Sequence, residues 1–133
     1  MVFEGQARTA RRAEVVLTVP ADGVFLAVVR TATAGLAARL DLTLDDIEDL
    51  RIAVDEACAL LLQQARVDSA VTVAFTLTEG ALNIQATATC DRPELPSRDG
   101  FSWTVLAALT THLDMWVDGS DLVVSLDRAR DDD

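Results

Sequence analysis

The chain has 133 residues, 50% hydrophobic and 25% charged, enough to bury one good core and too few for two ordinary domains. Acidic residues outnumber basic ones 22 to 11, and the net charge of −11 repels phosphate backbones and anionic headgroups, which argues against direct binding to nucleic acid or a membrane. All eleven basic residues are Arg, Lys and Tyr are absent, His112 is the only His and Asn83 the only Asn. That excludes a phosphate-loop lysine, Schiff-base chemistry and metal sites built on several His.

Cys58 and Cys90 have no CxxC spacing and read as two small buried thiols of a reducing compartment. The opening MVFEGQARTARRAEVV lacks the uninterrupted apolar run of a signal peptide, and no stretch approaches the ~20 apolar residues of a membrane span. The expectation is a soluble, cytoplasmic protein with a flexible segment over residues 1–12, one domain over 13–127 and a frayed polar tail over 128–133.

Residues 13–19 (AEVVLTV) are rich in β-branched side chains and stop at Pro20, which predicts a strand closed by a turn, with Asp22 as N-cap of the next helix. From Val24 to Leu40 the apolar residues Phe25, Val28, Val29, Ala32, Leu36 and Leu40 recur at three and four. They predict a helix with one buried stripe and a weak point at Gly35. Thr43 followed by Asp46 reads as a capping box with a shorter acid, and Asp45, Asp46, Glu48 and Asp49 crowd the turns where the macrodipole favours negative charge. The second helix puts Ile47, Leu50, Val54, Ala57 or Cys58, and Leu61 on its inner face and runs to about Ala65.

Residues 71–78 and 82–89 alternate on either side of Glu79-Gly80 and predict a hairpin. Residues 91–99 contain Pro93 and Pro96 and read as an irregular connection. Phe101, Val105, Leu106, Leu109 and Leu113 mark a third helix that Gly100 and Ser102 can start, and residues 115–117 and 122–126 flank an Asp118-Gly119 turn as a closing hairpin. The order β-α-α-β-β-α-β-β predicts an α+β fold, a two-layer α/β sandwich with three helices on one face of a mostly antiparallel sheet. On a helix burying Phe101, Val105 and Leu109, Trp103 points partly sideways, either into the core or outward as an interface anchor. Asp55 and Glu56, a quarter-turn apart, cannot form a facing carboxylate dyad. His112 reads as an exposed residue near a helix end.

Residues 49–64, DLRIAVDEACALLLQQ, resemble the second helix of the bacterial anti-sigma-factor serine kinases, a branch of the GHKL (histidine-kinase-like) ATPase fold. FSWTVLAAL at 101–109 resembles that family's last helix, and the pattern from Glu14 to Leu126 is similar to the actinobacterial anti-sigma proteins. The resemblance implies that fold, ATP and Mg²⁺ as cofactors, a sigma factor and an anti-anti-sigma (STAS-type) protein as partners, and a homodimer. It places the family's general base at Glu56. The metal-binding Asn belongs one turn further on, where this chain has Leu60, with no oxygen for a hard cation, and Gln63 and Gln64 are turned away from that position.

Asp91 falls near the Asp that reads adenine, but Arg92, Pro93 and Glu94 follow where the family has glycines for close backbone approach. No two glycines show G-x-G spacing, and the lid has shrunk to residues 94–99. Arg92 and Arg98 are the charges left to meet phosphates. The expectation is a retained fold with a nucleotide site largely lost and no metal site. The resemblance also points to Arg30 and Thr33 on the first helix, with Asp45 and Asp46 at the start of the second, as the sigma-contact surface, whose acids suit a basic partner. Two other readings stand beside this one: an active ATP-dependent serine-protein kinase with Glu56 as base, and a small-molecule sensor using the vestigial pocket.

Overall fold

The β-branched run VVLTVP forms strand β1 (Val15–Pro20), the first element in a computed structural model that describes residues 13–130. The segment 1–12, read as flexible, and the last three residues of the polar tail lie outside the described residues. Asp22 accepts the amide of Val24 at 3.1 Å and caps a short 3-10 turn, Gly23–Phe25. Then follow α1 (Leu26–Arg39), α2 (Leu44–Gln64), β2 (Ala70–Thr78), β3 (Ala81–Thr89), α3 (Phe101–Leu109), β4 (His112–Asp118) and β5 (Asp121–Ala129). The five strands make one sheet in the order β1-β2-β3-β5-β4, and every neighbouring pair is antiparallel. The two-layer α+β sandwich read from the sequence is the observed fold, its sheet antiparallel throughout.

Local chemistry explains most of these boundaries. Pro20, which has no amide to donate, ends β1 on the edge of the sheet, where a missing donor is tolerated. Gly80 at φ 73° and Gly119 at φ 64° close the two hairpins in the left-handed region that a Cβ disfavours. The predicted capping box opens α2: Asp46 donates its amide to the Thr43 hydroxyl at 3.0 Å, and Thr43 donates its own to the Asp46 carboxylate at 3.2 Å.

The core lies between α2 and one face of the sheet. Leu50, Ala53, Val54, Ala57, Cys58 and Leu61 are buried together with Val71, Val73 and Phe75 of β2, Leu82, Ile84, Ala86 and Ala88 of β3, and Leu122, Val124 and Leu126 of β5. Val54, Ala57 and Cys58 meet Val73, Ile84, Ala86, Val124 and Leu126 in an apolar contact with no room for a water molecule.

Three expectations are corrected. On α1 the buried line is Val29, Thr33 and Ala37 with Leu26, Ala32, Leu36 and Leu40 beside it, while Phe25 and Val28 face out. The stripe is rotated because Thr33 satisfies its hydroxyl internally, donating to the Val29 carbonyl at 2.8 Å, and because Phe25 belongs to the preceding 3-10 turn. On α3 the inward residues are Trp103, Leu106 and Leu109, and Phe101 is 76% exposed. Finally, Arg128 and Ala129 are not a frayed tail: they continue β5, paired with Leu82 and Ala81.

Candidate functional site

Three successive turns of α2 present Glu56, Leu60 and Gln64 along one side of the helix, the i, i+4 spacing that stacks side chains above one another. Glu56 accepts a hydrogen bond at 2.7 Å from the hydroxyl of Ser102, at the start of α3. Leu60 is 5% exposed and belongs to the hydrophobic core. Gln64 is a correction: read as turned away from Leu60, it lies one turn beyond it on the same side of the helix. Its carboxamide donates to the Glu94 carbonyl at 2.9 Å and accepts the Glu94 amide at 2.8 Å, so one side chain pairs with both polar groups of a residue 30 positions away.

That pairing turns residues 91–100 into a strap pinned along its length. At its start Cys90 bridges to Ala65, and Arg66 ion-pairs with Asp91 at 2.7 Å while its own amide donates to the Thr89 carbonyl at 2.8 Å. At its far end Gly100 donates to the Ser97 carbonyl at 2.9 Å, and the Arg98 guanidinium lies 4.1 Å above the Trp103 ring, a cation–π contact. A Cβ at Gly100 would come within 3.1 Å of that Ser97 carbonyl, which keeps the turn tight.

Asp91 is thus paired with Arg66 on the surface, Arg98 is stacked on α3, and Arg92 is exposed. Of the positions matched to nucleotide chemistry, only Glu56 offers a half-buried carboxylate between α2 and α3. Trp103 packs against the core under its Arg98 cover.

The four residues expected on one partner-facing surface separate. Asp45 is exposed. Arg30 is partly exposed and ion-paired at 2.8 Å with Asp55, tying α1 to α2. Thr33 has no exposed surface, and Asp46 is 1% exposed. Those two are corrections: a buried hydroxyl and a buried carboxylate cannot meet a partner.

The carboxylate of Asp46 is held by Arg128 of β5, with Nη2 at 2.8 Å and Nε at 3.2 Å from Oδ1. Arg128 also pairs with Asp49 at 3.1 Å and donates to the Leu109 carbonyl at the end of α3, 2.8 Å away. Two of the four clustered acids therefore face an internal guanidinium. Further along α2, burial pushes the Cys58 thiol up to about 11, the Asp55 carboxylate adding to the effect and Arg30 opposing it. His112 is exposed, 3.8 Å from the Asp127 carboxylate.

An antiparallel sheet covered on one face by three helices, with a carboxylate-bearing helix running to a loop between two hairpins, defines a GHKL-like sandwich domain. No protein-family model matches the chain. The chain is 33% identical over 116 residues, 87% of its length, to the anti-sigma-F factor RsbW of Mycobacterium tuberculosis, 68% of which is covered. It is 38% identical over 72 residues to the serine-protein kinase RsbW of Bacillus cereus, spanning 53% of this chain and 45% of that protein. A third match, 51% identical over 49 residues, is the serine-protein kinase RsbW of Halalkalibacterium halodurans, of which 30% is covered. The chain belongs to the RsbW family of anti-sigma factors and serine-protein kinases. Among the described residues no helix is long and apolar enough to cross a membrane.

Proposed function

We propose that this chain is a cytoplasmic anti-sigma factor that sequesters a sigma factor by direct protein–protein binding, acts as a homodimer and is released by a STAS-type anti-anti-sigma protein, with a nucleotide site too degraded for phosphoryl transfer. The observation that carries the last part is on α2. One turn beyond Glu56, where an oxygen ligand is needed, Leu60 is buried in the core, and one turn further Gln64 fastens the strap across this side of the helix. Phosphoryl transfer is catalysed by metal ions and positioned charge acting on the phosphate oxygens. ATP and Mg²⁺ do not fit the residues present: Leu60 supplies no donor, Glu56 is already engaged by Ser102, and the chain has no Lys.

Binding without chemistry suits the electrostatics. A net charge of −11 steers the domain toward proteins with basic, promoter-binding surfaces, and sigma factors are such proteins. The partner-facing surface keeps Asp45 from the sequence reading and adds the exposed Asp41 and Glu48 at the same end of α2, while Arg30, paired with Asp55 further along the helix, stands apart from it. Reversing the charge at Asp45 is expected to slow association with a sigma factor more at low salt than at high salt, and an unchanged low-salt on-rate counts against this surface.

The kinase reading is favoured by one observation, the retained Glu56 at the family's base position with its carboxylate half-buried between two helices. Calorimetric titration of the chain with Mg·ATP, repeated on Glu56→Ala, separates the two. No Mg²⁺-dependent binding is expected, and micromolar binding with phosphorylation of the anti-anti-sigma protein would restore the kinase.

A further inference from the structure

The strap and the first residue of α3 carry a row of side chains that the proposed function leaves unused. Arg92, Leu95, Arg98 and Phe101 stand at every third position, cation alternating with apolar side chain. All four are exposed, Leu95 at 52% and Phe101 at 76%, while Pro93 and Pro96 between them are part-buried. Proline fixes its own φ near −65° and holds the residue before it extended, so residues 92–96 favour a left-handed extended chain with three residues per turn. That period turns both prolines to one edge and Arg92 and Leu95 to another, about 9 Å apart. From Ser97 the chain turns back to Gly100, and the Arg98 guanidinium lies flat over Trp103, a stacking that leaves its N–H edge available to a carboxylate.

We infer that this row is a docking surface for an acidic protein segment, whose carboxylates meet Arg92 and Arg98 while its apolar side chains cover Leu95 and Phe101. The inference goes beyond the anti-sigma reading and does not rest on it. The first argument is charge. Acids outnumber bases 22 to 11, and Arg30, Arg51, Arg66 and Arg128 each hold a carboxylate. Among the described residues neither Arg92 nor Arg98 does so. The strap's own acids set the register: Asp91 is taken by Arg66, and Glu94 and Asp99 fall between the members of the row, where they repel a carboxylate that is out of place. A basic surface of the kind drawn to Asp45 is disfavoured here, so the two surfaces select different partners. The second argument is order. Gln64 holds both backbone groups of Glu94 and the prolines restrict the chain on either side, so the row is set before a partner arrives and binding costs little ordering entropy. The third is composition. Aromatic and Arg side chains are enriched at interfaces, and Phe101 stands outside although Trp103, Leu106 and Leu109 already fill the inner side of α3.

The test is selection of a phage-displayed library of short random peptides on the full chain, followed by fluorescence anisotropy with the enriched peptides. The expected peptides carry aromatic or aliphatic side chains between acids, bind with micromolar Kd and bind more weakly as salt rises. Arg92→Glu is expected to weaken that binding by at least roughly tenfold, and Phe101→Ser by a similar factor. Both positions are exposed, so the urea midpoint of each variant is expected to match that of the parent chain. Arg39→Glu, at an exposed arginine that ends α1 outside the strap, leaves binding unchanged. No enrichment, or enrichment of basic or uncharged peptides, overturns the inference. So does acidic-peptide binding that is indifferent to Arg92→Glu and Phe101→Ser, which would place the contact elsewhere. Displacement of the peptide by inorganic phosphate at constant ionic strength also overturns it, because the row would then hold any anion without an apolar register.

Discussion

Replacing Arg128 with Met removes a guanidinium and keeps most of its stem, which isolates the ion pair that joins β5 to α2. In the folded chain Asp46 is 1% exposed and Arg128 16%, with Nη2 at 2.8 Å and Nε at 3.2 Å from one carboxylate oxygen. The variant leaves that carboxylate desolvated beside its Thr43 capping bond and leaves the Leu109 carbonyl without this donor. Breaking a buried pair from one side costs about 3–5 kcal/mol. Asp49, the second partner, is part-exposed and adds little, so the lower end, about 3 kcal/mol, is expected. Equilibrium urea unfolding reads this directly: at a slope of about 1–3 kcal/mol per molar, the midpoint falls by about 1 M or more. Arg51→Ala is the control, because Arg51 and Glu48 form an exposed pair at 3.4 Å of the kind that contributes about 0–1 kcal/mol. A double variant, Arg128→Met with Asp46→Asn, is expected to recover part of the loss. If Arg128→Met costs no more than Arg51→Ala, the pair is not buried and the chain frays at residue 128 as the sequence pattern suggests.

Other outcomes follow from the same contacts. The absence of Lys and Tyr leaves the two cysteines as the side chains that titrate in mild alkali. The Cys58 thiol is raised from 9.0 to about 11 by burial, so the folded state holds its proton after the unfolded state has released it. Stability is therefore expected to fall as pH rises from about 9 to about 11 at up to about 1.4 kcal/mol per unit, and the slope to shrink in Cys58→Ala; Cys90, also raised by burial, supplies any remainder. Leu60→Asn is expected to destabilise by about 1–3 kcal/mol through an unsatisfied buried amide without creating Mg·ATP affinity in calorimetry; recovered affinity would mean that the rest of the pocket survives. Gln64→Ala is expected to speed hydrogen exchange at the Glu94 amide, its direct partner, while protection in β3 is unchanged; equal protection in both proteins would show that the strap is held by Arg66 and Arg98 alone.

What was legible in the sequence was local. Alternation in 71–78 and 82–89, a Gly at each hairpin turn and the Thr43–Asp46 capping box specify their elements within a few residues of themselves, and the helix pattern of 47–61 follows from one apolar face. What was not legible depends on partners far along the chain. Asp46 looks like another surface acid until Arg128, 82 positions away, is folded onto it. Gln64 looks like a solvated helix end until Glu94 arrives. Thr33 breaks the apolar stripe of α1 because a hydroxyl that bonds its own helix hides its polarity, and Phe101 misleads because an aromatic at the first turn of a short helix can stand clear of the sheet. At the site, Glu56 and Leu60 were singled out by the resemblance of residues 49–64 to a family's second helix, and periodicity alone pointed to neither. The strap was not legible at all, since no periodicity encodes a side-chain amide pairing with a distant peptide.

The most direct test of the central claim is the affinity of the purified chain for its host's sigma factors, measured with and without Mg·ATP and again after adding the anti-anti-sigma protein. The account predicts one sigma factor bound equally well in both conditions and released by the unphosphorylated anti-anti-sigma protein. A complex that forms only with Mg·ATP, or no complex with any sigma factor, contradicts it.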